Sequence, residues 1–112
     1  MMTMTDVPQF PVRTAFLCGK ITGDPDYRRK FAEACESLEE AGIAVMNPAV
    51  LPGHGFTHEQ YLTVTIAMMR VCDAVVLLPD WKDSPGAKME KDRATHWNKP
   101  IIEYAEWRQR NT

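Results

Sequence analysis

One short stretch of the chain has the residue types and the spacing of a ligand-binding and catalytic site. The stretch SPGAKME places Ser84 two residues before Gly86, and Glu90 four residues after that glycine. Ser84 can cap a helix, Pro85 suits the first helical position, and Gly86 leaves room for a ligand at the backbone. A phosphate or a sugar hydroxyl could therefore contact the amides at this helix end.

The predicted direction of Glu90 calls for a chemical explanation. Glu90 falls on the same stripe of the helix as its apolar residues, so the carboxylate should point toward the core. Burial raises the pKa of a carboxyl group unless donors hold it ionised, and such groups are candidates for function. The alternatives are that the helix turns Glu90 into solvent, or that Lys20, Arg70 or Arg93 pairs with it.

Two further loops contain candidate substrate-binding residues. In GKITGDP, Gly19 follows a predicted strand, with Lys20 and Thr22 beside it. A glycine there lets backbone N–H groups approach a ligand, but a tight strand-to-helix connection explains it equally well. The loop does not have the dinucleotide or triphosphate fingerprints. The loop NPAVLPGHGF, which begins at Asn47, is long for a connector and is predicted to be functional or a lid.

The remaining chemistry-bearing side chains give weaker indications. Trp81, in the loop PDWKDSPG, can stack on a base or contact another subunit. His54 and His58 are four residues apart, but His54 lies in a glycine-rich loop, so no shared helical face for a metal is assured. No local motif supports a cysteine or serine nucleophile. We therefore expect neither a metal nor an organic cofactor.

Composition excludes several classes of protein. The chain has 112 residues, 45% of them hydrophobic and 25% charged, which is typical of one globular domain. A net charge of −2 provides no basic field for nucleic acid. No secretory signal and no membrane-spanning run is evident, and three cysteines fit reduced thiols in the core. We therefore expect a cytoplasmic protein that binds neither nucleic acid nor membrane.

The elements that must position these residues alternate along the chain. The predicted strands cover residues 13–18, 43–46, 73–79 and 99–102. Each strand is a short apolar run without polar alternation, and helical patterns separate them, which is typical of a parallel sheet covered on both faces. The sequence thus predicts a single α/β domain over residues 13–112, behind a loose arm at 1–12. In such sheets ligands bind beyond the carboxyl ends of the strands, where the three loops converge.

Local signals predict where the helices begin. Asp24 before Pro25 indicates a capped start for the first helix. Thr57 and Gln60 have the spacing of a capping box for the second. The third helix is expected to follow Ser84.

Four segments, in order along the chain, resemble a known family. They are AFLCGKITGDPDYRRKF, GIAVMNPAVLP, CDAVVLLPDWKDSPGAKMEKDRA and NKPII. Together they are similar to the nucleoside 2-deoxyribosyltransferase-like superfamily, in particular to a branch of small bacterial and phage proteins called domain of unknown function 4406. The resemblance covers about Thr14 to Ile102, and its most specific part is the combination of G-K-I-T-G, N-P and S-P-G-x-x-x-E.

The resemblance implies a three-layer sandwich with a flavodoxin-like sheet of four to five strands, and chemistry at an N-glycosidic bond. In the deoxyribosyltransferases and related nucleotide hydrolases, the glutamate of G-x-x-x-E attacks the anomeric carbon of the sugar; the match here is Glu90. Ser84 matches the serine that holds a 5′-phosphate in the hydrolase branch. Gly19 matches a glycine beside the sugar. The family also implies a homo-oligomer, in which a neighbouring subunit can close each pocket.

Three positions depart from the family pattern. Ser84 stands where the transferases usually have aspartate, and Phe16 stands where a tyrosine is often found. Thr65 stands where a second aspartate is expected. Asp80 or Asp83 can substitute as the acid/base group. The expected function is therefore a nucleoside or nucleotide N-glycosidase or transferase. The alternatives are a non-catalytic nucleotide-binding or sensing protein, and an interaction domain without a ligand.

Overall fold

The computed structural model describes residues 12–111, and its elements alternate as predicted. The strands are Thr14–Cys18 (β1), Ala44–Met46 (β2), Ala74–Leu77 (β3) and Ile101–Glu103 (β4). The helices are Tyr27–Glu40 (α1), His58–Arg70 (α2), Pro85–His96 (α3) and Tyr104–Arg110 (α4). Two short 3₁₀ turns, Pro48–Val50 and Trp81–Asp83, follow β2 and β3. Most of the predicted loose arm lies outside the described residues.

All four strands are parallel, in the order β2-β1-β3-β4. This order is that of the first four strands of a flavodoxin-like sheet, and the predicted α/β fold is confirmed with four strands. The strand order reverses at β1: β2 is added on one side of it, and β3 and β4 on the other. A crevice therefore opens beyond the carboxyl ends of the neighbours β1 and β3. The loops that follow Cys18 and Leu77 meet at that crevice.

Two hydrophobic clusters, one on each face of the sheet, join the sheet to the helices on either side. Alternate residues of β1 enter different clusters: Ala15 and Leu17 pack with α1, whereas Phe16 and Cys18 pack with α2 and α3. All four side chains are fully buried, as period-two alternation in a covered strand requires. The last residue of β1, Cys18, therefore faces α3.

The structure confirms two of the predicted helix starts and corrects the first. Thr57 forms its capping box with Gln60, and the Ser84 hydroxyl accepts a hydrogen bond from the Ala87 amide over 3.1 Å. The Asp24–Pro25 prediction was wrong, because α1 begins at Tyr27. The Asp24 carboxylate instead accepts a hydrogen bond from the Asp26 amide, within a turn, and another from Lys30 of α1.

Two methionines of α2 and one tryptophan of α4 pack within the domain. Met69 is fully buried, and Met68 and Trp107 lie partly buried against the two clusters. Core packing accounts for their positions. Of the helices described between residues 12 and 111, none has the length and apolar character needed to cross a bilayer.

Candidate functional site

A cavity of about 820 Å³ lies at the crevice beyond β1 and β3. Its walls come from the loop after β1, the loop after β2, the first turns of α2 and the first turns of α3. This is the end of a doubly wound sheet at which ligands bind, and its volume is within the range of small-molecule sites.

Half of the ten residues singled out in the sequence contribute to this cavity. The five that line it are Gly19, Thr22, Ser84, Gly86 and Glu90. The five that lie outside its lining are Lys20, Asn47, Asp80, Trp81 and Asp83. The cavity therefore combines the loop after β1 with the start of α3, although these segments are more than 60 residues apart in the chain.

Glu90 points into the domain, as its position on the helix predicts. The residue is only 8% exposed, yet it lines the cavity. Burial raises the pKa of its carboxyl group, and hydrogen bonds from Thr65 and Cys18 act in the opposite direction. Within residues 12–111 no lysine or arginine forms an ion pair with this carboxylate. The predicted alternatives, exposure to solvent or a salt bridge, are therefore excluded.

Thr65 and Cys18 hold the carboxyl group from two different elements. Thr65, on α2, is buried and lines the cavity, at the position for which the sequence resemblance implies an aspartate. The Cys18 thiol lies 3.4 Å from Oε1 of Glu90 and 3.3 Å from the carbonyl oxygen of Ala87. Burial and the nearby carboxylate raise the pKa of this thiol, so Cys18 stays protonated and acts as a donor.

The start of α3 offers two hydrogen-bond donors toward a ligand. The Ser84 hydroxyl accepts from Ala87, which leaves its own proton available. Pro85 has no N–H group, and the Lys88 amide donates to the Ser84 carbonyl oxygen over 3.0 Å. Of the first-turn amides, that of Gly86 has no partner in the described part of the chain. A ligand oxygen can therefore meet one hydroxyl and one amide here.

Asp80 and Lys30 tie the two central loops together behind the cavity. The Asp80 carboxylate accepts the Lys20 amide over 3.0 Å and forms an ion pair with Lys30. Lys30 also binds Asp24 at 2.6 Å and the Lys20 carbonyl oxygen at 3.1 Å. Asp80 thus shapes the backbone beside Gly19, where a Cβ atom would lie 3.2 Å from its Oδ1. Its acid/base role stays a prediction.

The remaining predicted site residues, Asp83, Trp81 and Asn47, lie outside the cavity lining and are exposed, packed on the core or used as a cap. Asp83 is exposed on the 3₁₀ turn. The Trp81 ring packs on the α3 side of the core, with Lys82 and Lys91 over its face. The Asn47 side chain accepts the Ala49 amide over 2.9 Å and so caps the turn after β2.

The sequence interpretation missed the contribution of α2 to the cavity. His58 and Tyr61 line it from the first turn of that helix. The only sequence signal for them was the capping box, which predicts a helix start next to a glycine-rich loop. His58 had been considered only as a metal ligand, and the described residues contain no group of three or more histidine, cysteine, aspartate or glutamate side chains able to hold a metal.

Comparison with known proteins agrees with this architecture. The structure titled "Solution Structure of BlsM" is similar, with a TM-score of 0.65 and 23% sequence identity over 82% of this chain. At that identity the likeness shows the fold alone, and this chain spans 64% of the BlsM chain. No curated protein matches significantly. The family model "Domain of unknown function (DUF4406)" matches residues 13–103, which is most of the chain, and this protein therefore belongs to the DUF4406 family.

Proposed function

We propose that this protein cleaves the N-glycosidic bond of a nucleoside or nucleotide, with Glu90 as the nucleophile. One observation carries the proposal: a carboxyl group that is nine-tenths buried lines a cavity of nucleoside size, and it is oriented by two neutral donors. Structural carboxylates in a core are usually paired with a cation. A carboxylate that is buried without one is a candidate for chemistry.

The reaction has two displacements. The ionised Glu90 attacks the anomeric carbon as the bond to the base breaks, and a glycosyl ester forms. Water then releases the sugar in a hydrolase, or a second base takes it in a transferase. Thr65 and Cys18 favour the ionised carboxylate, and the Ser84 hydroxyl and Gly86 amide are donors for a sugar hydroxyl or a phosphate oxygen.

A specific observation favours a second candidate, a binding or sensing protein on the same cavity. The position expected to hold a second carboxylate is Thr65, and Asp80 and Asp83 lie outside the cavity lining. Phe16, at the position of the family tyrosine, is fully buried and has no hydroxyl group. Such a protein would bind a nucleotide and leave it intact. A homo-oligomer, with a neighbouring subunit over the cavity, is part of either proposal, as is a cytoplasmic location.

The test is release of free base from deoxynucleosides and their 5′-monophosphates, followed by chromatography. We expect the Glu90→Gln variant to lose about 10³-fold or more of the wild-type rate, because loss of a nucleophile removes the covalent step. Glu36→Gln is the matched control, since Glu36 is exposed on α1 and outside the cavity. Equal rates in the wild type and Glu90→Gln would refute the role of Glu90.

Calorimetry separates the two candidates. Saturable binding of a nucleoside or nucleotide without base release after long incubation would support the binding protein. Absence of both binding and release for every compound tested would refute both. Sedimentation of the wild type with and without ligand tests the predicted oligomer.

A further inference from the structure

The proposed cleavage needs an acid for the departing base. A nucleobase leaves as an unstable anion unless a proton reaches it as the bond breaks, and a positioned acid typically accelerates such a step by 10²–10⁴-fold. Besides Glu90, the titratable side chains that line the cavity are Asp24, Tyr27, His58 and Tyr61. One of these is the natural source of the proton.

Two of the four are engaged elsewhere, and a third is a weak acid. Lys30 holds Asp24 in an ion pair and lowers the pKa of its carboxyl group, so Asp24 stays ionised. Tyr61 donates its hydroxyl proton to the Pro52 carbonyl oxygen. The Tyr27 ring lies under the Arg28 guanidinium, and phenols are poorer proton donors than imidazolium at neutral pH. Imidazole is the side chain that both gives and accepts protons near neutrality.

The His58 ring lies beside Gly86, at the start of α3. Its Cε1 atom is 3.9 Å from the place where a Cβ atom would stand on Gly86. Gly86 and Glu90 are four residues apart on α3, so they share a face and lie about 6 Å apart along the axis. His58 and Glu90 therefore reach one cavity from two different helices, α2 and α3. No hydrogen bond occupies the His58 ring within residues 12–111.

We propose that His58 is the catalytic acid and base of this site; the inference rests on the proposed function. The imidazolium gives its proton to a nitrogen of the base as the bond from that base to C1′ breaks. In the same step an oxygen of Glu90 bonds to C1′. The neutral imidazole then takes a proton from water while the water oxygen bonds to C1′ and the ester bond to Glu90 breaks. The products are free base and free sugar, and both side chains return to their starting states.

The experiment compares two leaving groups in His58→Asn. One substrate is the ordinary deoxynucleoside or deoxynucleotide that the wild type turns over best. The other is N7-methyl-2′-deoxyguanosine, or its 5′-monophosphate, whose cationic base leaves as a neutral molecule and needs no proton. We expect His58→Asn to lose 10²–10⁴-fold in kcat/KM on the ordinary substrate and less than about threefold on the methylated one. His54→Asn is the matched control, because His54 lies outside the cavity lining.

Chemical rescue adds an independent measurement. Added imidazole should restore part of the rate of His58→Ala on the ordinary substrate and have no effect on the wild type. Equal losses on both substrates without rescue would show a role in binding or folding and overturn the inference, as would no loss at all. Base release by the wild type with an unaffected His58→Asn refutes only the role of His58. No release from either substrate by the wild type refutes the proposed function and the inference with it.

Discussion

The Cys18 thiol donates a hydrogen bond to the Glu90 carboxyl group over 3.4 Å, from the end of β1 to the middle of α3. The two residues are 72 positions apart in the chain. Cys18 is the last strand residue that faces α3, so the sheet itself orients the carboxyl group. An orienting contact from a strand is more rigid than one from a loop, which is the property that a nucleophile needs.

The buried carboxyl group should make stability depend on pH in a direction set by its pKa. Because the pKa of Glu90 is raised in the folded state, the native protein binds more protons than the unfolded chain as pH rises above the ordinary value of 4.5. The contribution of Glu90 is therefore full below pH 4.5 and is lost as pH rises through the folded-state pKa. Each unit by which folding raises the pKa corresponds to about 1.4 kcal/mol in the free energy of unfolding.

Glu90→Gln, which cannot ionise, should be free of this loss. Urea unfolding of both proteins between pH 4 and pH 8 measures it. We expect the variant to gain stability relative to the wild type as pH rises, with a constant difference above the folded-state pKa. Effects of other titrating groups cancel in the comparison. Parallel curves over the whole range would show that burial does not disfavour the ionised carboxylate.

Thr65→Val should raise the pKa of Glu90 further. The substitution keeps the shape of the side chain and removes the hydroxyl group that helps to hold the carboxylate ionised. We expect an upward shift, since the lost hydrogen bond favours the ionised form and such bonds to charged groups contribute about 1.5–3 kcal/mol. A ¹³C NMR titration of the Glu90 carboxyl group measures the shift without reference to activity.

Thr63→Val is the control for that titration. Thr63 is exposed on the same helix, and its hydroxyl donates to the Glu59 carbonyl oxygen. This variant should leave the Glu90 titration unchanged. If Thr65→Val also leaves it unchanged, the Thr65 hydroxyl donates to the Leu62 carbonyl oxygen, 3.4 Å away, in place of Glu90.

Two of the glycines that line the cavity, Gly19 and Gly86, should respond in opposite ways to alanine. A Cβ atom on Gly19 would lie 2.9 Å from Leu78 Cβ and 3.2 Å from Asp80 Oδ1, so Gly19→Ala should cost about 1–3 kcal/mol. A Cβ atom on Gly86 would meet its nearest neighbours at 3.9 Å, and alanine favours the helix by up to about 1 kcal/mol. Denaturant unfolding of both variants checks this. A Gly19→Ala protein as stable as the wild type would contradict the crowding at β1.

Local patterns in the sequence were sufficient to predict the strands, most of the helix starts and the residues of α3 that line the site. Apolar runs predicted the four parallel strands, and short-range signals predicted the starts of α2 and α3. Helical periodicity placed Glu90 on the apolar stripe of α3, with exposure to solvent and an ion pair as the open alternatives. These features depend on residues within a few positions of one another, so propensity and spacing encode them. The Asp24 prediction failed because Lys30, a helical turn into α1, competes for the same carboxylate.

Only the tertiary structure decided which residues accompany Glu90. Thr65, Cys18 and His58 lie 25 or more positions away from it in the sequence. Their approach depends on how α2 and β1 pack against α3, and no periodicity within one element reports such packing. The Lys30–Asp80 pair likewise forms only when the first turn of α1 and the loop after β3 become neighbours. The sequence determined that a carboxylate would lie on the apolar stripe of α3; packing of separate elements decided that it would be buried and that a cavity and its donors would meet it there.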